Sequence, residues 1–588
     1  MTALPDTAPR DTAGAELLTR VLSALLREDV VGLRSRGTLT IRPDGPWLRL
    51  PTDGDALLLP LTEDGFQCVY AARLPLLVRE SDGAELTSYD TVLAELRALA
   101  DPVDRDGVDA FAEECRQTLA TLRLHDATRD EITERLTDRH GTDPARWTGL
   151  AASLAYDALA ARTDHPVYPT ARGRSGLTVE QLRSYAPEFH PRFALRWLAV
   201  PREAVTLTGP LPEGWPTPAV LGMEDLGATH LALPVHPLTA GAPLDEALRV
   251  TGLVGRARLA EHGHIEVVPT LSMRTVAVAA DPTLHLKLPL ATATLGLRNR
   301  RTIKPGTLVD GAAGQRLIER VVEREPRFRD TVLHADEATY AHAGHELLAV
   351  LCRRYPAGLD GATVVPLAAL LAEAPGGRLV VDHLADRFHG GDPLALLDAC
   401  LALLFDWQAT LFGHGIALES HQQNVSLVLG PEPGRVRLLF KDNDGPRINT
   451  ARLAAVLPGP WGFDDARTYG AEDGPVADVF ATITVHLCAG AYAFGLARHG
   501  RAPLPTLLRL VRDRLGEAVD RLGGTPAAVL RTQILDAPHL PVKAMVSAGT
   551  LLSKERSGAA DVNKHYTTGP NYLLHAGEQA GVHPGDTV

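Results

Sequence analysis

The C-terminal half of the chain contains two short apolar runs on either side of a turn rich in glycine and proline. The runs are Val425–Leu429 and Arg435–Phe440. Two apolar runs joined by such a turn predict a β-hairpin. Counting outward from the turn places Asn424 opposite Lys441 or Asp442. The polar residues that flank the runs are therefore expected to meet at the open end of this hairpin, which we call the 425–440 hairpin.

Acidic, amide and imidazole side chains crowd the two ends of this hairpin. They are Glu419, His421, Gln423 and Asn424 before it, and Asp442 and Asp444 after it. Because side chains alternate along an extended strand, the two aspartates are expected on one face. Converging carboxylate and amide oxygens suit Mg²⁺ that carries the phosphates of a nucleotide. A polar hairpin end with merely solvated charges fits equally well, so both interpretations stay open at this point.

A second predicted hairpin carries cations and hydroxyls. Its strands are Ile265–Thr275, continued by Val276–Ala279, and Leu284–Leu290 after a turn at residues 281–282. Leucines alternate with His285 and Lys287, so Lys287 projects from a half-polar face. The residues expected near one end of this sheet are Ser272, Arg274, Thr275 and Lys287, followed by Thr292, Thr294, Arg298, Arg300, Arg301 and Lys304. Hydroxyls beside guanidinium and ammonium groups favour a triphosphate and a carboxylate ligand, although ordinary surface cations are the alternative.

Composition excludes several classes of protein. The net charge of −13 argues against a general nucleic-acid-binding protein, which needs a basic face. The five cysteines are far apart, with no CxxC pair, and indicate reduced thiols and not a disulfide framework or a zinc site. The N-terminus lacks a secretory signal, and no uncharged apolar run approaches the roughly 20 residues of a membrane span. We therefore expect a cytoplasmic protein.

The predicted secondary structure divides the chain into three regions, each expected to be one subdomain. Residues 1–160 alternate helical and extended pieces and contain no chemical cluster, residues 161–310 are rich in strands, and residues 311–588 are mainly helical. The helices expected in the last region are Gly314–Arg324, a helix from Asp392-Pro393 to about Phe412, and helices within 475–498 and 504–522.

The common catalytic and nucleotide-binding motifs are absent from the sequence. No GxSxG stands at a strand–helix turn, and neither a Walker A loop nor a GxGxxG after a strand is present. The order His421, Asn424, short hairpin, Asp442 is similar in layout to a kinase catalytic loop and its metal-binding aspartate. A phosphotransferase that releases ADP therefore stays open as an alternative.

Several motifs together resemble one family. They are HPVYPTARGRSGL at 165–177, YAPEF at 185–189, PVHP at 234–237, PTLSMRTV at 269–276, KLPLATATLGLR at 287–298, GIALESHQQN at 415–424 and KDNDG at 441–445. In this order they identify the chain as a member of the IucA/IucC superfamily of NRPS-independent siderophore (NIS) synthetases, of the aerobactin-synthetase type.

The resemblance implies an α+β fold shaped like a hand. The thumb, the fingers and the palm would be residues 1–160, 161–310 and 311–588, with mostly antiparallel sheets and a helical, distantly kinase-like palm. It also implies a ligase that uses ATP and Mg²⁺ to adenylate a citrate-like carboxylate with release of pyrophosphate. The acyl group would then pass to an amine, a hydroxylamine or an alcohol, and a homodimer is possible.

The resemblance assigns roles to individual residues. Ser272, Arg274, Thr275 and Lys287 would hold ATP phosphates; Arg298, Thr294 and His421 would contact the carboxylate and the α-phosphate; Glu419, Asn424, Asp442 and Asp444 would hold Mg²⁺ and phosphates. Gln423 would lie on the acyl-acceptor side, and His165 and Arg172 would contact the substrate. His421, Arg298 and Lys287 would be the catalytic residues. Taken alone, His165 and Arg172 fit a structural or solvated role better.

The sequence also departs from the family pattern. Tyr168 stands where the family has a second histidine, Arg172 replaces a lysine, and Leu238 and Thr239 replace the last two residues of HPWQ. The phosphate and metal positions are kept, so we expect adenylation to be retained and the identity of the carboxylate to differ. A non-catalytic binding homologue is the remaining alternative, and it would be expected to lack the phosphate-binding cations.

Overall fold

A computed structural model of the chain describes residues 11–432, 434–558 and 565–577. The fold mixes helices with mostly antiparallel sheets, as expected from the sequence. The first ten residues, to which the expectation about a secretory signal applies, lie outside the described residues.

A nine-stranded antiparallel sheet forms the middle of the molecule. Its strands, in spatial order, are Arg258–Leu259, Phe193–Pro201, His264–Pro269, Thr275–Val278, Asp281–Lys287, Ala349–Arg354, Asp336–His342 and Thr206–Thr208, with His230–Val235 paired to Phe193–Pro201. The second predicted hairpin is present, but its last strand begins and ends three residues earlier than expected. The sheet includes two strands after residue 310 and so crosses the boundary expected there.

A four-stranded sheet contains the 425–440 hairpin. Its strands are, in order, Val332–His334, Val436–Phe440, Val425–Leu429 and Thr363–Pro366. Val425 pairs with Phe440, and the Lys441 backbone N–H donates to the Asn424 carbonyl at 3.1 Å. The predicted register of the 425–440 hairpin is thus confirmed.

Three further sheets contain the other strands of the described residues. A six-stranded sheet near the N-terminus contains Thr38–Arg42, Gly45–Thr52, Asp55–Glu63, Tyr70–Ala72, Leu77–Arg79 and Glu85–Leu86. Ile416–Ala417, Arg447–Asn449 and Tyr469–Gly470 form a three-stranded sheet, and His539–Lys543 pairs with Tyr566–Pro570.

Helices cover both ends of the described chain. The N-terminal ones are Thr12–Arg27, Tyr89–Leu99, Arg105–Ala127, Arg129–His140, Gly149–Ala161 and Val179–Tyr185; Ala242–Val250 and Pro305–Arg324 follow. The C-terminal ones are Val380–Phe388, Pro393–Gly413, Thr450–Val456, Gly474–Val479, Ala491–Arg498, Leu504–Leu522, Gly524–Leu530 and Lys554–Ser557, with π-helical turns at Phe480–Gly490, Arg531–Leu535 and Ser547–Leu551. Asp392 caps its helix by accepting the Leu394 N–H, as the sequence predicts.

The described residues form five hydrophobic clusters, of which two are large. The larger core combines residues from the first 190 positions, such as Leu17 and Phe111, with residues from the C-terminal region, such as Phe412 and Leu573. The smaller core packs against the nine-stranded sheet around Trp197 and Val350. The two ends of the chain therefore share one apolar interior.

Two helices are long and apolar enough, by length and composition alone, to cross a membrane. They are Pro393–Gly413 and Gly474–Arg498, and 61% and 100% of their most apolar windows are buried inside the protein. The expectation that no apolar run approaches this length was wrong, because residues 479–497 contain no charged side chain. A buried core helix has the same properties, so the two helices are weak evidence for a membrane span.

The five cysteines are free and buried, as the sequence analysis expected. Burial raises the pKa of Cys400 and of Cys352 to about 12. These thiols therefore remain protonated and act as small apolar side chains in the cores.

Candidate active site

A single lysine joins the two predicted hairpins. Lys287 is the register partner of Thr275 in the nine-stranded sheet. Its ammonium donates to the Asp442 carboxylate and, at 3.5 Å, to Asp444 Oδ2. The Lys287 side chain is 7% exposed, whereas the Asp442 and Asp444 side chains are 24% and 34% exposed. The ammonium is enclosed by protein, while both carboxylates keep a surface that a ligand can reach.

A buried ion pair holds the backbone at Asp442. Glu337 accepts from Arg353 Nε and from the backbone N–H groups of Asp442 and Asn443, the last two at 2.8 and 3.3 Å. Arg353 also donates to Asp442 Oδ1 at 3.3 Å. Asp442 has a φ of 64°, a left-handed conformation that is unfavourable for most residues other than glycine. These hydrogen bonds stabilise that conformation and fix the carboxylate beside Lys287.

The two aspartates differ in acidity. Burial alone would raise the pKa of Asp442, but Lys287, Arg353 and Arg274 outweigh it and hold this pKa well below its usual range. Burial raises the pKa of Asp444, Lys287 opposes that change, and the Asp442 charge adds to it. Asp442 is therefore the permanently charged member of the pair at neutral pH.

Four arginines of the candidate site have buried N–H groups without an acceptor among the described residues. These groups are Arg174 Nε, Arg274 Nε, Arg301 Nε and, on the loop that follows the hairpin, Arg298 Nη1. Burial and the charges of Arg274 and Arg174 lower the pKa of Arg301 to about 9, against the opposing charges of Asp442 and Asp444. Buried donors without acceptors are costly, and an anionic ligand would satisfy them.

The hydroxyls predicted to contact phosphate lie at the start of the second hairpin. Ser272 Oγ accepts the Thr275 backbone N–H at 3.1 Å and donates to Thr275 Oγ1 at 3.0 Å. Arg274 Nη1 donates to the Thr302 carbonyl at 2.8 Å. The structure thus brings Ser272, Arg274, Thr275 and Lys287 together, as the sequence predicts.

His421 lies in a tight turn before the 425–440 hairpin. Its Nδ1 accepts the Gln423 backbone N–H at 3.4 Å, and Asn424 Nδ2 lies 3.5 Å from its Nε2. Burial, followed by the charge of Lys543, lowers the pKa of His421 to about 4. The imidazole is therefore neutral at pH 7.

His165 and Arg172 are held by protein contacts. His165 Nδ1 accepts the backbone N–H groups of Val167 and Tyr168 at 3.3 and 3.1 Å, and burial followed by His421 lowers its pKa to about 3. His165 therefore lies within electrostatic range of His421. Arg172 instead pairs with Asp164 at 2.9 Å and contacts His125.

Glu114, from the region without a predicted chemical cluster, holds the loop that contains Thr294 and Arg298. Its carboxylate accepts from the Leu297 backbone N–H at 2.9 Å, from the hydroxyls of Tyr168 and Thr170, each at 3.1 Å, and from the Thr550 hydroxyl. Tyr168, the departure from the family pattern, is fully buried and donates to this carboxylate. Glu114, Glu337 and Arg353 were not predicted from the sequence, and Arg353 directly follows the apolar run at residues 347–352.

The acidic residues expected to bind metal fall into two places. Asp442 and Asp444 share Lys287, whereas Glu419 Oε1 lies 3.7 Å from Lys543 Nζ. The described residues contain no group of three or more His, Cys, Asp or Glu side chains that could hold a metal ion. Two carboxylates nevertheless suffice for Mg²⁺ that arrives with a nucleotide, since phosphates and water supply its other ligands.

Comparison with known proteins finds related sequences and folds. Residues 153–372 match the model of the "IucA / IucC family", and residues 395–555 match that of the "Ferric iron reductase FhuF-like transporter". The rhizobactin siderophore biosynthesis protein RhbC of Rhizobium meliloti (strain 1021) is 26% identical, and the alignment covers 90% of this chain and 92% of RhbC. The resemblance to the IucA/IucC family that the sequence motifs indicate is thus supported by the match of residues 153–372.

Other similar proteins align over less of their length or are known as structures. Staphyloferrin A synthase of Staphylococcus aureus (strain NCTC 8325 / PS 47) is 26% identical, and the match spans 51% of this chain and about half (54%) of that protein. The petrobactin biosynthesis protein AsbB from Bacillus anthracis str. Sterne superposes with a TM-score of 0.74 at 17% identity, covering 97% of this chain and 96% of AsbB. ATP-bound aerobactin synthetase IucA from a hypervirulent pathotype of Klebsiella pneumoniae gives a TM-score of 0.65 at 18% identity, covering 95% and 99% of the two chains. At these identities the superpositions establish the fold alone.

Proposed function

We propose that the protein is an ATP-dependent ligase of siderophore biosynthesis or of a related specialised metabolism. It adenylates a citrate-like or other polycarboxylic acid and condenses the acyl group with an amine, a hydroxylamine or an alcohol. The observation that carries this proposal is the contact of Lys287 with Asp442 and Asp444, surrounded by arginine N–H groups that have no acceptor among the described residues. Three findings support it: one relative is named staphyloferrin A synthase, another is named a rhizobactin siderophore biosynthesis protein, and an aerobactin synthetase of the same fold is known with ATP bound.

The proposed chemistry has two steps. A carboxylate oxygen attacks the α-phosphorus of ATP, the bond to the β-phosphate oxygen breaks, and pyrophosphate leaves with its electron pair. The nucleophile then attacks the acyl carbon, loses a proton to solvent and releases AMP. Both steps shift negative charge between oxygens, so positioned cations and N–H donors supply most of the rate.

The residues of the candidate site divide this work. Ser272, Thr275, Arg274 and Lys287 bind the β- and γ-phosphates, and Arg298 and neutral His421 donate to the α-phosphate and the reacting carboxylate. Arg301 adds a further guanidinium. Thr294 lies next to the carboxylate, His165 and Gln423 border the acyl-acceptor side, and Arg172 acts through Asp164 and His125.

Asp442 and Asp444 would hold Mg²⁺, with Asn424 as a further oxygen ligand. When bound, the ion neutralises phosphate charge. Glu419 contributes through Lys543 in this proposal, because it does not group with the aspartates.

The hand-like description is also part of the proposal. Residues 1–160 form the thumb, residues 161–310 the fingers and residues 311–588 a palm that resembles a kinase. Lys287 then reaches from the fingers to the palm, and the substrates bind between them. A cytoplasmic location, the absence of membrane and nucleic-acid partners and a possible homodimer complete the proposal.

Substitutions in the site test this function. Arg298→Ala, His421→Ala and Asp442→Ala should each abolish ATP–pyrophosphate exchange while the circular dichroism spectrum stays that of the unsubstituted protein. Arg300→Ala is the matched control, because Arg300 lies on the same loop but its side chain is 63% exposed and 3.7 Å from Glu346. Normal exchange in all three site variants would contradict the assignment.

Product analysis with a panel of polycarboxylates and hydroxylamine separates the alternatives. AMP, pyrophosphate and a hydroxamate are expected with the true acyl donor. ADP and phosphate would instead assign the protein to phosphotransfer, which uses the same His421–Asn424–Asp442 layout.

A further inference from the structure

A groove lined by arginines lies apart from the candidate active site. It encloses ≈ 550 Å³, and its lining includes Arg135, Arg139, Arg183, Arg192, His190 and Tyr185. Arg135 and Arg139 are four residues apart on helix Arg129–His140 and therefore share one face. Arg183 comes from helix Val179–Tyr185, and Arg192 precedes strand Phe193–Pro201. We call this feature the arginine groove.

The arginine groove has more cations than anions. Glu131 accepts from both Arg135 and Arg183 at 2.8 Å, and Glu266 accepts from Arg192 at 2.9 Å. No carboxylate of the described residues lies within 4.0 Å of Arg139. Four guanidinium groups thus face two carboxylates, on a protein whose net charge is −13.

The histidines next to the arginine groove respond to this excess charge. Burial, followed by Arg139 and Arg192, lowers the pKa of His140 to about 4. Burial, followed by Arg139 and His140, lowers the pKa of His190 to about 3. Burial and then Arg192 and Arg135 also lower the pKa of Arg139, with Glu266 opposing. Both imidazoles are neutral near pH 7, so the positive charge of the groove comes from arginine alone.

The floor of the arginine groove is the backbone between the groove and the active site. Arg135 Nη1 donates to the Phe189 carbonyl at 2.5 Å. The preceding residue, Glu188, faces the other way and lies 3.7 Å from Arg174 and 3.6 Å from His125. The groove therefore shares one backbone segment, but no lining side chain, with the candidate active site.

We propose that the arginine groove binds a small polyanion that carries two or more carboxylate or phosphate groups. Guanidinium groups form planar, bidentate hydrogen bonds with carboxylates and with phosphates. A single exposed ion pair contributes little, so two anionic groups are needed to use both excess charges. The side chains of Tyr185 and Phe193 border the cavity, whose volume suits a compact molecule. This site is separate from the ATP and carboxylate sites of the proposed function.

Calorimetric titration of the full chain tests the proposal. The probes are citrate and inorganic pyrophosphate as polyanions of the two chemistries, and acetate as a monoanion. We expect at least one polyanion to bind, and Arg139→Gln to weaken that binding about tenfold or more. Arg139 lacks a carboxylate partner, so this substitution should leave the thermal midpoint unchanged. Arg249→Gln, at an exposed arginine paired with Glu246, is the matched control and should bind like the unsubstituted chain.

A second readout separates the groove from the active site, which also attracts anions. Histidine labelled with ¹³C should show a polyanion-dependent shift of His140 in the unsubstituted chain and in Arg298→Ala, but not in Arg139→Gln. Equal affinities for Arg139→Gln and the unsubstituted chain, together with an unmoved His140 signal, would overturn the proposal. Acetate binding as tight as that of citrate and pyrophosphate would overturn the requirement for two anionic groups.

Discussion

Glu337 connects an ion pair in the interior to the carboxylate of the candidate site. It neutralises Arg353 and accepts the backbone N–H of Asp442, and both ionic side chains are 3% exposed or less. A buried charge that loses its partner costs far more than a surface charge does, because it cannot be hydrated. Glu337 is thus a positioning residue for Asp442.

Glu337→Gln should lower the free energy of unfolding by about 3 kcal/mol, since Arg353 would keep a buried charge without its main counter-ion. ATP–pyrophosphate exchange should fall as well, because Asp442 loses part of its support. Urea unfolding and exchange assays measure the two effects. Glu346→Gln removes a partly exposed carboxylate, 3.7 Å from the exposed Arg300, and should cost less than about 1 kcal/mol. Equal losses for the two variants would exclude the role given to Glu337.

At the scale of single residues, the sequence correctly predicted the position of those residues that belong to a local sequence pattern. Lys287 alternates with leucines and was placed correctly on the polar face of its strand. Asp442 and Asp444 follow a hairpin whose register can be counted. Glu114 belongs to no such local pattern, because its partners Tyr168, Leu297 and Thr550 come together only through tertiary folding.

At the scale of elements, the loop that contains Arg298 lies against a π-helical turn. Gly296 has a φ of +109°, and a Cβ built on it would lie 2.8 Å from Gly549 Cα. The Arg298 backbone N–H donates to the Gly549 carbonyl at 3.0 Å. Two glycines that pack backbone against backbone therefore set the position of Arg298.

Gly296→Ala should displace this loop and reduce ATP–pyrophosphate exchange by about tenfold or more, because a 1 Å shift of a positioning group can cost that much. Gly311→Ala is the matched control. Gly311 lies within helix Pro305–Arg324, and a Cβ there meets no atom within 4 Å, so this variant should keep full exchange and gain up to about 1 kcal/mol of stability. Full exchange in Gly296→Ala would show that the close approach is not required.

The periodicity of apolar residues predicted which helices and strands form, but it predicted their first and last residues less accurately. Helix Leu504–Leu522 and both strands of the 425–440 hairpin agree with prediction. The last strand of the second hairpin was predicted to reach Leu290, but it ends at Lys287. Pro289 offers no backbone N–H to a neighbouring strand, a signal that the alternating leucines concealed.

At the scale of the whole molecule, buried neutral histidines make stability depend on pH. His334 stacks on Phe440 with ring centroids 5.4 Å apart, and neither of its ring nitrogens has a partner among the described residues. Burial lowers its pKa to about 3. An unfolded histidine titrates near 6.5, so the unfolded chain binds more protons below this pH, and stability falls as the pH decreases from about 6.5 towards 3.

His334→Phe should stabilise the protein by about 1 kcal/mol at pH 7.5 and by a further ~1.4 kcal/mol for each pH unit below 6.5. His334→Gln removes the same titration but keeps a polar group, so it should share the pH dependence without the gain at pH 7.5. Urea unfolding of the three proteins at pH 7.5, 6.5 and 5.5 measures both terms. Parallel pH profiles for all three would contradict the prediction.

The long-range arrangement was least accessible to sequence reasoning. The predicted division at residue 310 follows a change from strand-rich to mainly helical sequence, yet the nine-stranded sheet includes two strands that lie beyond it. The sequence of a strand shows which of its faces is apolar, but it does not show which distant strand will pair with it.

The core that joins both ends of the chain has a consequence for synthesis on the ribosome. Glu28 accepts the backbone N–H groups of Val546 and Ser547, and Leu17 belongs to the same core as Leu573. At a translation rate of ~5–20 residues per second, the N-terminal helices must wait ~30–100 s for these partners. The nine-stranded sheet, with its own core, can fold during that interval. The apolar faces of the nascent N-terminal helices would therefore stay exposed, and these helices would depend on chaperones until translation nears its end.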